Sequence, residues 1–327
     1  MRRRAFIGLL GAAVLPLVVR AQQAERARRI GVLMPFARDD KEGQSRIAAF
    51  LQELQRLGWV VDQNLQVEYR WTTGDAETSR KAATELAALP LDAIFAAATP
   101  AVAALQQATR TLPIVFVMVT DPVAAGFVSS PAKPGGNITG FPNFEYGTST
   151  KWLELLKEIA PRVTRVGVIR DPGITSNVGQ FAAIRSVAPS FGVELTPLGG
   201  RDAKDIGQTI GEFARGSNCG LICAASPLTL NNRNLIVALA SQHRMPAIYP
   251  FRFFVTDGGL ISYGVHPIKF YQQAAGYIDR ILRGEKPADL PLQAAIKYEL
   301  VINLRTAKAL DLVIPSSLLS RADEVIE

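Results

Sequence analysis

The chain has 327 residues, of which 48% are hydrophobic and 20% charged, and this length exceeds that of a usual single domain, so two domains are expected. The formal charge of +7 depends on four arginines within the first 20 residues, and the other 32 basic residues face 29 acidic ones. Because these basic residues are scattered along the chain and form no run outside the N-terminus, no nucleic-acid partner is implied.

The N-terminus has the pattern of an export signal. Three consecutive arginines at residues 2–4 precede an uncharged run over residues 7–19, and Ala21 follows. A helix needs about 20 apolar residues to span a bilayer, so we expect residues 1–21 to be a signal peptide that is cleaved after Ala21. The arginines resemble a twin-arginine signal, and general secretion remains the alternative. No cysteine stands directly after Ala21, so the cleavage point offers no thiol for lipid attachment. The sequence therefore predicts a free periplasmic protein.

Apolar strands alternate with amphipathic helices in the first half of the remaining chain. Residues 114–119 form a continuous apolar run, which is typical of a buried parallel strand. The periodicity predicts strands at 29–35, 65–69, 93–98 and 114–119, and helices at 44–58, 76–89 and 102–109. This βα repetition specifies a parallel sheet that is covered by helices.

The alternation is interrupted at residues 133–141 and then resumes. The second half is predicted to have helices at 151–159, 178–188, 206–215 and 233–243, and strands at 166–170, 193–195, 221–225, 247–249 and 260–263. It repeats the first half in kind, without a visible residue-level repeat. The sequence therefore predicts an α/β protein with two similar lobes.

Cysteine and histidine are too sparse to indicate a metal site. The two cysteines, Cys219 and Cys223, have no close histidine partner, so a structural zinc site is not expected, nor is any cofactor. Within a strand, residues four apart are roughly 13 Å from each other, which is beyond the ~7 Å Cα limit for a disulfide. Two buried thiols and an intermolecular disulfide remain the alternatives.

Four predicted junctions between a strand and a helix carry a side-chain oxygen followed by proline: Thr99-Pro100, Asp121-Pro122, Asp171-Pro172 and Ser226-Pro227. Such pairs suit the N-cap and first turn of a helix, so ordinary caps are one interpretation. Ligands of parallel α/β sheets bind outside the carboxyl ends of the strands. A ligand cleft lined by these junctions is therefore the other interpretation.

The residue types at these junctions suggest the chemistry of the ligand. The helix after Thr99 is short and rich in alanine, which leaves the N–H groups of its first turn open to a carboxylate. Asp121 and Asp171 could instead accept hydrogen bonds from an ammonium group or from hydroxyls. Arg252 is either a fork for a ligand carboxylate or part of a surface ion pair.

Aromatic residues near the strand ends either line an apolar pocket or pack in the core and hinge. Taken with the junctions, they predict a binding site for a small organic molecule. The predicted site residues are Phe36, Thr99, Pro100, Thr120, Asp121, Phe141, Asn143, Asp171, Ser226, Phe251, Arg252 and Tyr263.

Four sequence blocks resemble the ABC-transporter substrate-binding family, which includes binders of tryptophan and aromatic amino acids. The blocks are residues 28–35 (RRIGVLMP), 133–141 (KPGGNITGF), 151–157 (KWLELLK) and 298–303 (YELVIN). The likeness extends to residues 322–327 (ADEVIE) and so covers nearly the whole chain after the signal. The blocks are specific for the family and indicate little about the ligand.

The resemblance implies a type I periplasmic-binding-protein fold, in which two Rossmann-like lobes with parallel sheets are joined by a three-stranded hinge. The crossovers would lie near Gly140, Gly264 and Pro291. Lobe 1 would then hold residues 22–140 and 265–290, and lobe 2 residues 141–264 and 291–327. Ala295 and Ile296 depart from the Pro-Thr that relatives often carry, so a less rigid third crossover is expected.

The function that the resemblance implies is that of a non-enzymatic solute-binding protein of an ABC importer. Its partners would be a small-molecule ligand, such as an amino or aromatic acid, and an ABC permease in the inner membrane. A ligand-sensing partner of a membrane receptor remains an alternative. An α/β enzyme is a further alternative, although the chain after the signal has no G-x-S-x-G, Walker, G-x-G-x-x-G or H-E-x-x-H motif.

Overall fold

The structure, a computed structural model, describes residues 27–295 and 297–327. The predicted signal peptide at residues 1–21 lies outside the described residues, as does Ile296 of the third predicted crossover. Across the two described ranges, each helix is too short or too polar to cross a membrane.

Twelve strands are present in the described chain. In order they are β1 (Arg28–Met34), β2 (Leu65–Trp71), β3 (Ala93–Ala97), β4 (Ile114–Val119), β5 (Ile138–Pro142), β6 (Arg165–Arg170), β7 (Glu194–Gly199), β8 (Cys219–Cys223), β9 (Ala247–Tyr249), β10 (Ile261–Gly264), β11 (Glu299–Asn303) and β12 (Glu324–Ile326).

Twelve α-helices connect and cover these strands. They are α1 (Lys41–Arg56), α2 (Ala76–Ala87), α3 (Thr99–Ala108), α4 (Thr150–Ile159), α5 (Thr175–Val187), α6 (Ala203–Phe213), α7 (Pro227–Asn231), α8 (Arg233–Gln242), α9 (Arg252–Thr256), α10 (Pro267–Leu282), α11 (Leu304–Ala309) and α12 (Ser316–Leu319).

Local sequence accounts for the form of these elements. Helix α1 buries Ile47, Phe50 and Leu54, which recur at the helical period. It begins after Asp40, whose Oδ1 accepts a hydrogen bond from the N–H of Gly43 at 2.9 Å. Strands β3 and β4 are buried along their whole length, as parallel strands are when helices cover both faces of the sheet.

The first lobe is built on a sheet of five parallel strands in the order β2-β1-β3-β4-β5. Helices α1 to α3 follow its strands in the usual βα alternation. Helix α10 comes much later in the chain, yet it packs against α1 and against strands β3, β4 and β5. The chain therefore returns to the first lobe after β10.

The second lobe is built on a sheet of seven strands in the order β12-β11-β10-β9-β8-β6-β7. Its strand pairs are parallel except for β10 with β11. The chain passes between the lobes after β5, after β10 and after α10. Two mostly parallel α/β lobes confirm the predicted fold class, whereas the lobe limits set at residues 140, 264 and 290 stay predictions.

Two glycines stand at the first two passages between the lobes. A Cβ atom at Gly140 would collide with the backbone carbonyl of Phe116, and one at Gly264 would collide with the carbonyl of Pro250. The backbones approach too closely at these points for any side chain. Glycine is therefore required at both passages, because another backbone segment of the same chain lies in contact with it.

Candidate ligand-binding cleft

A cavity of about 30 Å³ lies between the two lobes, at the carboxyl ends of strands from both sheets. Residues that follow β1, β3 and β4 form one wall, and residues that follow β8 and β9 form the other. This volume has room for roughly two or three water molecules. A ligand the size of an amino acid therefore enters only when the lobes separate or side chains move.

The cavity wall is mainly apolar, with several hydroxyls, one amide and one guanidinium. The polar residues are Arg46, Thr99, Thr120, Asn143, Ser176, Ser226 and Tyr271. The apolar residues are Pro35, Ala97, Ala98, Pro100, Met118, Ile174, Ala225, Pro227, Leu230 and Phe251. An apolar enclosure with a few convergent polar groups is what a small organic ligand needs.

Six of the twelve predicted site residues line this cavity: Thr99, Pro100, Thr120, Asn143, Ser226 and Phe251. The other six, Phe36, Asp121, Phe141, Asp171, Arg252 and Tyr263, are not part of its wall. The position of the first six is a structural finding, and their role in ligand binding stays a prediction.

Ser226 begins a helix as the sequence predicted. Its Oγ accepts a hydrogen bond from the N–H of Thr229 at 3.2 Å, and Oγ1 of Thr229 accepts one from the N–H of Ser226 at 3.1 Å. This reciprocal capping box fixes the start of α7. The Ser226 hydroxyl is thus held at the cavity wall by a motif that lies within four residues.

Thr99 lies at the cavity, but its predicted role as a helix cap is wrong. Helix α3 begins at Thr99 itself, and its N-cap is Ala98, which has a φ of 73° and provides no side-chain cap. Pro100 occupies the first turn, where its missing N–H is tolerated. The chain leaves β3 through a left-handed residue, which the sequence pattern did not reveal. The first turn of α3 consequently has no side-chain cap.

Asp121 and Asp171 do not begin helices, contrary to the prediction. Oδ1 of Asp121 accepts a hydrogen bond from the N–H of Ala124 at 3.0 Å, and Oδ1 of Asp171 accepts one from Gly173 at 2.8 Å. Each carboxylate closes its own turn. Burial raises the pKa of Asp171, against the opposing effect of the Gly173 N–H. Helix α5 begins at residue 175, four residues after Asp171.

Arg252 forms the surface ion pair that was one of its two predicted roles. Its Nε and Nη2 each lie 2.6 Å from a carboxylate oxygen of Glu324. Both side chains are partly exposed, at 43% and 37%. The guanidinium of Arg252 is therefore paired with Glu324 within lobe 2 and lies outside the cavity wall.

The three predicted aromatic residues outside the cavity wall pack in the core or near the hinge. Phe141 is buried against the ring of Tyr277 at a centroid distance of 4.7 Å. Tyr263 stacks on Tyr298 at 5.5 Å, close to the second and third passages between the lobes. Phe36 is buried, and its ring centroid lies 5.0 Å from the guanidinium carbon of Arg46.

Three polar residues of the cavity wall were missed in the sequence, Arg46, Ser176 and Tyr271. Arg46 is 1% exposed, and it lies on the same face of α1 as Gly43 and Phe50. A charged residue on an otherwise apolar helical face was a signal that could have been used. Tyr271 lies on α10, a helix that was not predicted from the sequence. Burial raises the pKa of the Tyr271 hydroxyl.

The two lobes touch at the mouth of the cleft. Nδ2 of Asn231 donates to the carbonyls of Pro35 and Thr73 at 3.2 and 2.9 Å. Nη1 of Arg233 lies 2.9 Å from Oδ2 of Asp40. Asn231 and Arg233 belong to lobe 2 and the other three residues to lobe 1. This arrangement of the lobes is therefore a closed one.

A closed cleft between two α/β lobes, with polar groups from both, defines a two-lobed ligand-binding protein. The family model described as ABC transporter substrate binding protein matches residues 38–326. The chain therefore belongs to the ABC transporter substrate binding protein family. Members of this family bind solutes and are not enzymes, which confirms the predicted absence of catalysis.

Known proteins resemble the chain over most of its length. A tyrosine-binding protein of Clostridioides difficile (strain R20291) is 27% identical over 263 residues, which are 80% of this chain and 75% of that protein. The crystal structure of an ABC domain in complex with L-Trp from Streptococcus pneumoniae has a TM-score of 0.83, with 24% identity over 91% of this chain and 99% of the other.

A second solved structure shows the same architecture in another state. It is the ligand-free, open structure of a substrate binding protein with adhesive properties from Clostridium difficile, with 25% identity over 91% of this chain and 99% of the other. Its TM-score is 0.64. At nearly equal identity, the chain is thus more similar to the ligand complex than to the open structure.

Proposed function

We propose that this protein is the periplasmic solute-binding component of an ABC importer, which closes on a small organic acid and delivers it to a permease in the inner membrane. The observation that carries the proposal is the cavity between the lobes, to which both lobes contribute polar groups at the ends of their strands. A site shared between two lobes couples ligand binding to lobe closure. Closure is the signal that a permease can distinguish from the free protein.

The ligand class is proposed to be an amino or aromatic acid. The wall supplies apolar surface from Phe251, Met118 and Leu230 beside a few polar groups. The tyrosine-binding protein of Clostridioides difficile gives independent support for a ligand that carries an aromatic ring and a carboxylate. The guanidinium of Arg46 provides the charge that such a carboxylate needs.

Opening and closing is proposed to be the working motion. The hydrogen bonds of Asn231 and the ion pair of Arg233 with Asp40 cross the mouth, and water can replace these polar partners when the lobes part. The cavity in the closed arrangement is too small for an aromatic acid. We therefore expect the ligand-bound state to be slightly wider than the closed structure and narrower than the open one.

A thermal-shift screen tests the proposed ligand binding. The chain from residue 22 onward would be screened against amino acids, aromatic acids, sugars and purines. A ligand at 100 times its Kd stabilises the folded state by roughly 2.7 kcal/mol, which the assay resolves. Because we expect the free protein to populate the open state, small-angle scattering should show a smaller radius of gyration with the best compound than without it. Failure of every compound to stabilise the protein, with an unchanged radius, contradicts the proposal.

The periplasmic location is proposed from the signal pattern at residues 1–21. Replacement of Arg2, Arg3 and Arg4 with lysine should leave the precursor in the cytoplasm if export uses the twin-arginine route. Cell fractionation followed by detection of the mature protein measures this. Undiminished periplasmic protein assigns the signal to general secretion, and retention of the unaltered protein in the cytoplasm contradicts the proposed location.

A further inference from the structure

Arg46 is the most unusual group in the cavity wall. Its side chain is 1% exposed, and its guanidinium carbon lies 5.0 to 6.0 Å from the ring centroids of Phe36, Phe253, Tyr271 and Phe251. These rings stabilise the cation through their π faces. They cannot accept strong hydrogen bonds from its N–H groups, so the donors of Arg46 need another partner.

The hydrogen bonds of Arg46 are incomplete in the described chain. Its Nε donates to Oε1 of Glu42 at 3.0 Å. Nη2 is buried and has no hydrogen-bond partner among the described residues. A buried charged donor without a partner is strongly unfavourable. The structure therefore keeps a donor at the cavity that an incoming group can satisfy.

Tyr271 presents a second unpaired group at the same cavity. Its hydroxyl is buried and, within the described residues, has no hydrogen-bond partner. Burial raises the pKa of this hydroxyl, against the opposing effect of the Arg46 guanidinium beside it. A neutral phenol can donate a hydrogen bond. Arg46 and Tyr271 belong to different helices, α1 and α10, which pack against each other. Two unpaired donors are thus brought together by tertiary packing.

The remaining polar groups add donors rather than anions. Oδ1 of Asn143 already accepts hydrogen bonds from Thr120 at 3.1 Å and from the N–H of Phe144 at 2.9 Å, which leaves its amide nitrogen to donate. Of the described residues, none that line the cavity is a carboxylate. Asp121 and Asp171, the acids nearest in sequence to the strand ends, hydrogen-bond to their own turns.

We propose that the natural ligand is a monocarboxylic acid that has no α-ammonium group, and that its carboxylate binds Nη2 of Arg46 and the hydroxyl of Tyr271. The inference rests on the proposed function and narrows its ligand class. A carboxylate satisfies both unpaired donors in charge-assisted hydrogen bonds. Among the described residues no carboxylate lines the cavity, and Glu42 is already paired with Arg46. An α-ammonium group would therefore enter this low-dielectric cavity without a free anionic partner, and its desolvation would oppose binding.

Three probes that differ by one group test the ligand class on the unaltered protein. They are 3-(4-hydroxyphenyl)propionate, which has only the carboxylate, L-tyrosine, which has both charged groups, and tyramine, which has only the ammonium group. Calorimetry should rank the propionate first and L-tyrosine second, with tyramine at least about 100-fold weaker. If L-tyrosine binds at least tenfold more tightly than the propionate, the cavity does have a site for an ammonium group and the inference is overturned.

Variants test whether Arg46 holds the carboxylate. Arg46→Met removes the guanidinium and keeps an unbranched apolar side chain that can pack against the rings. It should weaken binding of the propionate by roughly 10- to 100-fold. The matched control is Arg56→Met on the same helix, where the arginine is exposed and paired with Glu53. Unchanged affinity in Arg46→Met, with a folded protein, overturns the assignment.

Tyr271→Phe keeps the test decisive if Arg46→Met fails to fold. The Tyr271 hydroxyl has no hydrogen-bond partner in the described chain. Removal of this hydroxyl should therefore leave the melting temperature of the free protein nearly unchanged. The affinity for the propionate should fall roughly three- to tenfold, while tyramine is unaffected. An equal loss of affinity for both probes overturns the proposed contact.

The outcomes separate this inference from the proposed function. If the unaltered protein binds a sugar or a purine and none of the three probes, the carboxylate inference is overturned and the solute-binding function stands. If no compound of either set stabilises it, the proposed function itself fails. Binding of the propionate that depends on Arg46 supports both.

Discussion

Arg233 and Asp40 join the two lobes across the mouth of the cleft, with Nη1 and Oδ2 2.9 Å apart and side chains only 16% and 13% exposed. The other oxygen of Asp40 accepts the N–H of Gly43 at the start of α1. One carboxylate therefore caps the helix that carries Arg46 and holds the opposite lobe. The helix start and the closed state are linked through this residue.

The first prediction is that Arg233→Gln shifts the free protein toward the open state. Loss of a partly buried ion pair should weaken closure by about 1 kcal/mol, and ligand affinity should fall correspondingly because the closed state is less populated. Scattering and calorimetry measure the two effects. Asp40→Asn should behave alike, since its amide oxygen can still cap α1. The exposed Arg201→Gln is the control, and equal effects from it would refute the role of the pair.

The second prediction concerns Thr99→Val at the start of α3. Because no side chain caps this helix, the free protein should lose little stability. If the Thr99 hydroxyl donates to the ligand carboxylate, affinity should fall by about 1.5–3 kcal/mol. Calorimetry and thermal melting of the same preparation separate the two effects. A fall in stability without any loss of affinity would show that Thr99 only supports the helix.

The third prediction is that Gly264→Ala destabilises the passage between the lobes. The added methyl group would meet the carbonyl of Pro250, so the free energy of unfolding should fall by about 1–3 kcal/mol. Urea unfolding measures it. Gly207→Ala on α6 is the control, because a Cβ there meets no atom within 4 Å. It should be neutral or stabilising by up to about 1 kcal/mol. Equal stability of the two variants would contradict the proposed close approach.

The fourth prediction concerns the reactivity of Cys223. Burial raises the pKa of its thiol to about 12, so almost no thiolate is present at neutral pH. In a Cys219→Ser protein, a thiol reagent should leave Cys223 unmodified until urea unfolds the chain. Measurement of released chromophore against time tests this. Stoichiometric reaction of the folded variant within minutes would show that Cys223 is accessible.

The fifth prediction is a pH effect at the start of α2. Burial alone would raise the pKa of Asp75, but hydrogen bonds from Thr78, Thr73 and Glu77 outweigh it and lower the pKa from 3.8. A lowered folded-state pKa stabilises the fold above the unfolded value, and this contribution is lost as the pH falls through the folded value.

Asp75→Ala should therefore cost about 1 kcal/mol at neutral pH, as the loss of an N-cap does. The difference from the unaltered protein should shrink as the pH falls below 3.8. Urea unfolding across this range measures it, and Asp75→Asn, which caps without a charge, should lack the pH dependence. A difference that stays constant with pH would refute the electrostatic part.

Short-range patterns in the sequence were sufficient for the elements whose causes are local. The apolar run IVFVMV has the bounds of β4, Ile114–Val119, and the predicted strand at 247–249 has those of β9. The Ser226 capping box depends on residues within one turn, so it too could be predicted. The alternation of these local elements was enough to indicate two parallel α/β lobes.

The composition of the cavity depends on contacts between distant parts of the chain. Arg252 is kept from the cavity by Glu324, which is 72 residues away in sequence. Arg46 is buried there because rings at positions 36, 251, 253 and 271 surround it. Local periodicity fixes which face of a helix is buried, but the partners that meet that face are set by how the lobes pack. For that reason the strand ends could be predicted. The sequence could mark Arg46 as a charge on a buried helical face, but only the packing of the lobes places it at the cavity.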